Sequence, residues 1–67
     1  MNILDNFGQK VRLERNKLGI SQEKLASLAS VHRTYVGMIE RGEKNLTITN
    51  IYKIAKALKV RARDLLD

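Results

Sequence analysis

Residues 21–42 read SQEKLASLASVHRTYVGMIERG, a proline-free run in which two short helical patterns are separated by only a few residues. Ser21 suits a helix N-cap, and Gln22 and Glu23 fall in the first turn, where unpaired N–H groups and the positive end of the helix dipole favour polar and acidic side chains. Leu25, Leu28 and Ala29 then share one side, predicting a helix of about eight residues. Ser30 and Val31 read as a tight turn, and His32 to Arg41 form the next helix. Val36, Ile39 and Glu40 point one way along it, and Arg33, Thr34, Gly37, Met38 and Arg41 the other. Gly42 ends it. Two short helices joined so closely must cross steeply, which requires a small residue at the crossing. Ala26 meets that need.

Gly37 is the puzzle in this pattern. Glycine inside a helix costs about 1 kcal/mol relative to alanine, so something outside the helix must make the position worthwhile. The second helix of such a pair can project from the body and enter the major groove of B-form DNA, about 12 Å wide. A missing side chain at 37 then permits close approach to base edges or the sugar-phosphate. On the same face Arg33 can donate two parallel hydrogen bonds to guanine O6 and N7, Thr34 can bond a base or touch a thymine methyl, and Met38 can make apolar contact. Tyr35 lies at the edge, its hydroxyl available to phosphate or base.

Working outward, Leu4 to Lys17 reads as a first helix with Leu4, Phe7, Val11 and Leu18 near one face, interrupted by Glu14 and stopped by Gly19. "GEKN" is loop and Thr47 can cap a fourth helix. Ile48, Ile51, Ile54, Ala55 and Leu58 recur along it at three- and four-residue steps. A last turn or two covers Ala62 to Leu66. No strand pattern competes, so the expectation is an all-α single domain over residues 1–67. Its helix-turn-helix lies at about 21–41 and a dimerisation region at about 48–67.

Composition narrows the chemistry. Sixty-seven residues allow one small core, so help from a second copy is plausible. The chain has no cysteine and one histidine, which argues against disulfides, thiolate chemistry, and metal sites built on His or Cys clusters. No cofactor or metal is expected, nor any enzyme activity, because His32 has no evident nucleophile partner and the carboxylates are scattered. Apolar stretches are too short to span a bilayer, and "MNILDNFGQK" lacks the basic start and apolar block of a signal peptide, so a soluble cytoplasmic protein without a membrane partner is expected. Thirteen Lys and Arg against seven Asp and Glu give a net charge of +6, pointing to a polyanionic partner.

From Phe7 to Asp64 the chain resembles the XRE family of helix-turn-helix regulators, with the lambda-repressor-like fold of five helices; the match is carried by "GISQEKLAS" and "VHRTYVGMIERGEKNLTI". Within that family "RTYVGMIERGEKNLT" is similar to the controller proteins of restriction-modification systems. The resemblance implies that Arg33, Thr34 and Tyr35 read DNA, with His32 and Met38 beside them. It also implies that Gln22 meets a phosphate at the N-terminus of the second helix, and that Arg41, Lys44, Asn45 and Thr47 hold the adjoining backbone. An ion pair between Arg15 and Glu40 is implied as well, and inward-facing Glu40 needs such a partner on physical grounds. Ser30 and Glu14 depart from the family pattern, the first standing where glycine is common and the second in an apolar slot.

For dimerisation, Leu65 and Leu66 are the candidates together with Ile51 or Tyr52, since exposing both leucines would leave an unusual apolar patch; packing of Leu65 into its own chain is the alternative. Lys53, Lys56, Lys59, Arg61 and Arg63 read as a solvated face. The expected function is a homodimeric regulator of transcription on a pseudo-palindromic double-stranded operator, acting at a promoter, with RNA polymerase as a further candidate partner. A phage-type repressor, an antitoxin, and a helical protein-interaction module that leaves DNA alone are the alternatives.

Overall fold

The computed structural model describes residues 2–66. In it the chain forms α1 (Ile3–Leu18), α2 (Gln22–Ala29), α3 (Arg33–Glu40), α4 (Ile48–Leu58) and α5 (Ala62–Leu66), with no strand among the described residues. The helix ends are fixed by caps. Side-chain oxygens of Asn2, Ser21 and Thr47 accept from the backbone N–H of Asp5, Lys24 and Asn50, each satisfying one of the donors a helix start leaves unpaired. Asp64 in α5 reaches back to the Arg61 N–H at 3.0 Å to do the same. His32 and Arg41 turn out to flank α3 as its two caps, so the helix itself is only eight residues long.

The turn between α2 and α3 shows why glycine would suit the position that Ser30 holds. Ser30 sits in the left-handed region at φ 58°, and the Val31 N–H reaches back to the Ala26 carbonyl at 3.0 Å. A β-carbon in that conformation costs about 1–2 kcal/mol. The chain tolerates this because the turn closes α2 and delivers Val31 against the core within two residues.

Every helix contributes to one core. Phe7 and Val11 come from α1, Leu25, Ala26 and Ala29 from α2, Val36 and Ile39 from α3, Ile54, Ala55 and Leu58 from α4, and Leu65 from α5. Three apolar expectations are corrected. Leu28 is exposed, because at about 100° per residue the buried arc of α2 runs from Leu25 through Ala29 to Ala26 and leaves Leu28 outside it. Ile48 is 73% exposed; it lies a turn ahead of Ile51, which is itself only half-buried. Leu18, at the last position of α1, is also on the surface. A fourth correction concerns pairing: Leu65 is fully buried within its own chain as α5 packs on α1 and α4, so it cannot meet a second copy directly.

Two glycines set how closely α1 approaches the end of α3. A β-carbon at Gly8 would run into the Ile39 carbonyl oxygen and stand 2.9 Å from that of Glu40. At Gly42, φ is +72° and a side chain would collide with the Asp5 carboxylate, so this residue both stops α3 and lets the chain pass under α1. Glu14 does not reach the core; it pairs with Lys17 at 3.3 Å.

The side chain of Glu40, the last residue of α3, is 0% exposed, against 14% for Arg15 and 53% for Arg12. Arg15 donates from Nε to Oε2 at 2.7 Å and from Nη2 to Oε1 at 3.1 Å. Arg12 Nε and Gln22 Nε2 add bonds to Oε1 at 3.2 and 3.0 Å. Arg15 Nη1 also holds the Ile20 carbonyl at 2.9 Å. Burial pushes the Glu40 carboxyl pKa up, but the bonds from Arg15, Gln22 and Arg12 outweigh it and hold the group below its ordinary value of 4.5. Because the folded state then binds this proton less readily than the unfolded chain, the cluster's contribution is present at neutral pH and fades as pH falls through the carboxylate range. Glu40→Gln should lower stability at pH 7 by about 3 kcal/mol, and its stability should change less than the parent's between pH 7 and pH 3. Denaturant titrations at both pH values check this.

Candidate nucleic-acid interface

The N-terminal ends of α2 and α3 and the C-terminal end of α3 border an open cleft lined by Gln22, Glu23, Arg33, Thr34, Gly37 and Arg41. Arg33 and Thr34 are exposed, and Arg33 makes no ion pair among the described residues. An arginine left free at the head of a helix keeps its planar fork of donors for an outside acceptor.

Gly37 forms the floor of the cleft and is not itself open to solvent. A β-carbon there would meet the Arg41 guanidinium at 3.2 Å and Gln22 Oε1 at 3.7 Å, both ends of side chains. The contrast with Gly8 is direct, since Gly8 faces immovable backbone. The fold therefore does not demand glycine at 37. What the missing side chain gives is depth between Gln22 and Arg41.

The cleft lining does not include the expected residues Tyr35, Met38, His32, Lys44, Asn45 and Thr47, and Asn45 instead borders an apolar pocket with Ile3, Ile51 and Leu66. Tyr35 is half-buried and its hydroxyl oxygen accepts from Asn50 Nδ2 at 2.9 Å, which leaves the hydroxyl hydrogen to donate elsewhere. Met38, three residues after Tyr35 and so about one turn along α3, is half-buried as well. His32 caps α3, its Nδ1 accepting from the Thr34 N–H at 3.1 Å. Gln22 commits one amide hydrogen to Glu40 and turns Oε1 toward Gly37. Arg41 pairs with Glu43 at 3.1 Å, both being about half exposed, an arrangement worth little in water and easily exchanged for a phosphate. Lys44, Asn45 and Thr47 are exposed in the loop that follows, and the Thr47 hydroxyl accepts the cap bond while keeping its own hydrogen.

Sequence reasoning missed Glu23, Arg12 and Asn50. Glu23 was legible as a first-turn acid, but nothing in its spacing placed it on the cleft. Arg12 reaches Glu40 from one turn before Arg15, a spacing that could have suggested a second donor. Asn50 follows Thr47 by three residues, and only the fold brings it under Tyr35.

This arrangement, a short exposed helix held by a two-helix crossing with free donors along its outer side, defines a helix-turn-helix regulator that binds DNA. The chain belongs to the helix-turn-helix family, whose profile it matches over residues 11–65. Within that family it is similar to restriction-modification control proteins. It is 55% identical over 67 residues to control protein C.BamHI of Bacillus amyloliquefaciens, covering 98% of this chain and 83% of that one. The crystal structure of the restriction-modification controller protein C.AhdI from Aeromonas hydrophila superposes with a TM-score of 0.90 at 47% identity, over 92% of this chain and 94% of that one. The P22 c2 repressor, crystallised in complex with a synthetic operator, gives a TM-score of 0.86 at 30% identity, over 91% and 92% of the two chains.

Gly37→Ala separates folding from recognition. The variant should keep or gain up to about 1 kcal/mol of stability through helix propensity, because only flexible side-chain ends must move, while its affinity for duplex DNA falls. Thermal unfolding and a binding isotherm on the same preparation read the two effects.

Proposed function

We propose that the protein is a homodimeric controller of a restriction-modification system, acting at its promoter on a pseudo-palindromic operator. Each subunit lays α3 in the major groove, the two half-sites one helical turn, about 34 Å, apart. The observation that carries this reading is the outer side of α3, where unpaired Arg33 and exposed Thr34 stand over a cleft floored by Gly37. Arg33 donates bidentately to guanine, Thr34 and Tyr35 bond a neighbouring base or its phosphate, and Met38 supplies apolar contact. Gln22, with its second amide hydrogen and the N–H groups of α2, binds a phosphate together with Arg41, Lys44, Asn45 and Thr47. The similarity to C.BamHI and C.AhdI supports the controller role, and the operator-bound P22 c2 repressor supports DNA as the ligand. Whether the dimer activates or represses follows from its position relative to RNA polymerase. A DNA partner of this kind implies a cytoplasmic location.

The dimer contact is assigned to an apolar side built from α4, α5 and the start of α1. Leu66, exposed by 41%, borders a pocket there with half-buried Ile51 and exposed Ile3, and exposed Tyr52 follows Ile51 on α4. Ile3 and Ile48, which the sequence reading did not include, extend the exposed apolar surface. Leaving this much bulky apolar surface in water is unfavourable, and a two-fold contact covers it twice over. Leu65 supports the contact from beneath, as part of the core.

Selection of bound duplexes from a random pool tests the reading as a whole: two related half-sites at a fixed spacing are expected, and no enrichment would sink it. On the selected duplex Arg33→Ala should cost about 1–3 kcal/mol with little change on random DNA, whereas Lys44→Ala should weaken both alike. Affinity should fall steeply with salt, log K dropping about 0.9 per phosphate contact for each tenfold rise. Leu66→Asp should move the sedimentation profile toward monomer, and an unchanged profile removes Leu66 from the contact.

A further inference from the structure

Leu28 is 51% exposed on α2, and it does not stand alone. It borders an open groove of about 410 Å³ between α2 and α4, with Ala29 and Ala57 beside it and three exposed lysines, Lys53, Lys56 and Lys59, completing that side. The lysines recur at three-residue steps and make no ion pair among the described residues. Like charges so close on a helix repel. The dipole of α4 favours Lys56 in its last turn, but Lys53 lies mid-helix, beyond the reach of that effect. The backbone singles out the same place. Among the described residues only Ser30 and Lys59 hold a positive φ without being glycine, at 58° and 62°, and both line this groove. Each closes a helix, α2 and α4, in a position where glycine is the usual and less strained residue. Lys59 therefore weakens the fold where a glycine would not, and what it supplies is a cation beside the groove.

We propose that this groove docks an acidic amphipathic segment of another protein, an apolar side chain seating against Leu28 and Ala57 while carboxylates pair with Lys53, Lys56 and Lys59. An apolar lining flanked by unpaired like charges is complementary to a helix whose apolar stripe is bordered by Asp or Glu. A phosphodiester backbone would match the lysines but leave Leu28 uncovered. A second copy joined two-fold through this face would set lysine against lysine, in a chain that already carries a net charge of +6. The groove shares no residue with the cleft of Gln22, Arg33 and Gly37 and lies at the other end of α2. Occupation of one therefore does not consume the other, and the docking does not depend on DNA binding.

The probe is a capped, fluorescently labelled peptide of about eighteen residues, leucine recurring at three- and four-residue steps with glutamate between. A second version carries lysine in place of glutamate, and a third serine in place of leucine. Anisotropy titration with the full-length protein is expected to show binding of the first alone. Lys53→Glu combined with Lys56→Glu should weaken it about tenfold, and Leu28→Ser about fivefold. The same charge change at Lys17 and Arg63, outside the groove, should cost about twofold or less. Lys59→Gly separates docking from folding: its thermal midpoint should rise, since glycine suits a φ of 62°, while peptide affinity falls about threefold. No binding of the acidic peptide, or equal weakening by the two pairs of reversals, overturns the proposal. So does Leu28→Ser weakening binding to duplex DNA while leaving the peptide alone, which makes the groove a nucleic-acid surface. A Leu28→Ser sedimentation profile shifted toward monomer overturns it as well, by making the groove a contact between copies.

Discussion

A single carboxylate organises this molecule. Glu40 lies at the junction where α1, α2 and α3 meet, and it is desolvated entirely while α1 supplies two guanidinium groups and α2 an amide to its two oxygens. A buried anion of that kind is tolerable only with good geometry and several donors. It therefore acts as a fixed point. The end of α3 cannot rotate without breaking bonds to two other helices, and the outer side of α3 is held in register with the start of α2. Gly8 allows the helices to come close enough for this, and Gly42 takes the chain away without disturbing it.

The same cluster links stability to recognition. Gln22 bonds Glu40 with its nitrogen and turns its oxygen to the floor of the cleft. One side chain thus belongs both to the interior network and to the open cleft between α2 and α3. Tyr35 behaves in a related way, its hydroxyl fixed by Asn50 from α4. Both side chains are thus held by hydrogen bonds within the fold itself, and a surface ordered in advance leaves little ordering to oppose binding.

Much of this could be read from the order of residues. Caps and stops written as Ser21, Gly19, Gly42 and Thr47 mark local chemistry, and local chemistry survives folding. The Arg15 to Glu40 pair followed from a family resemblance together with the inward position of Glu40. What escaped was set by geometry between elements. Leu28 and Ile48 fit a helical spacing yet lie beyond the arc that neighbouring helices cover, and no count along one helix reveals where that arc ends. Leu65 and Leu66 are adjacent and chemically identical, but α5 turns one into the core and the other outward. Gly37 was recognised as anomalous, although the sequence did not disclose that Arg41 and Gln22 shelter it.

The disjoint allocation of α3 has a consequence for how such proteins diverge. Val36, Ile39 and Glu40 carry the attachment of the helix, whereas Arg33 and Thr34 are exposed and their side chains make no hydrogen bond or ion pair among the described residues. Substitutions at those two positions are thus nearly silent for folding, and a lineage can drift to new binding sequences one step at a time without passing through an unstable intermediate.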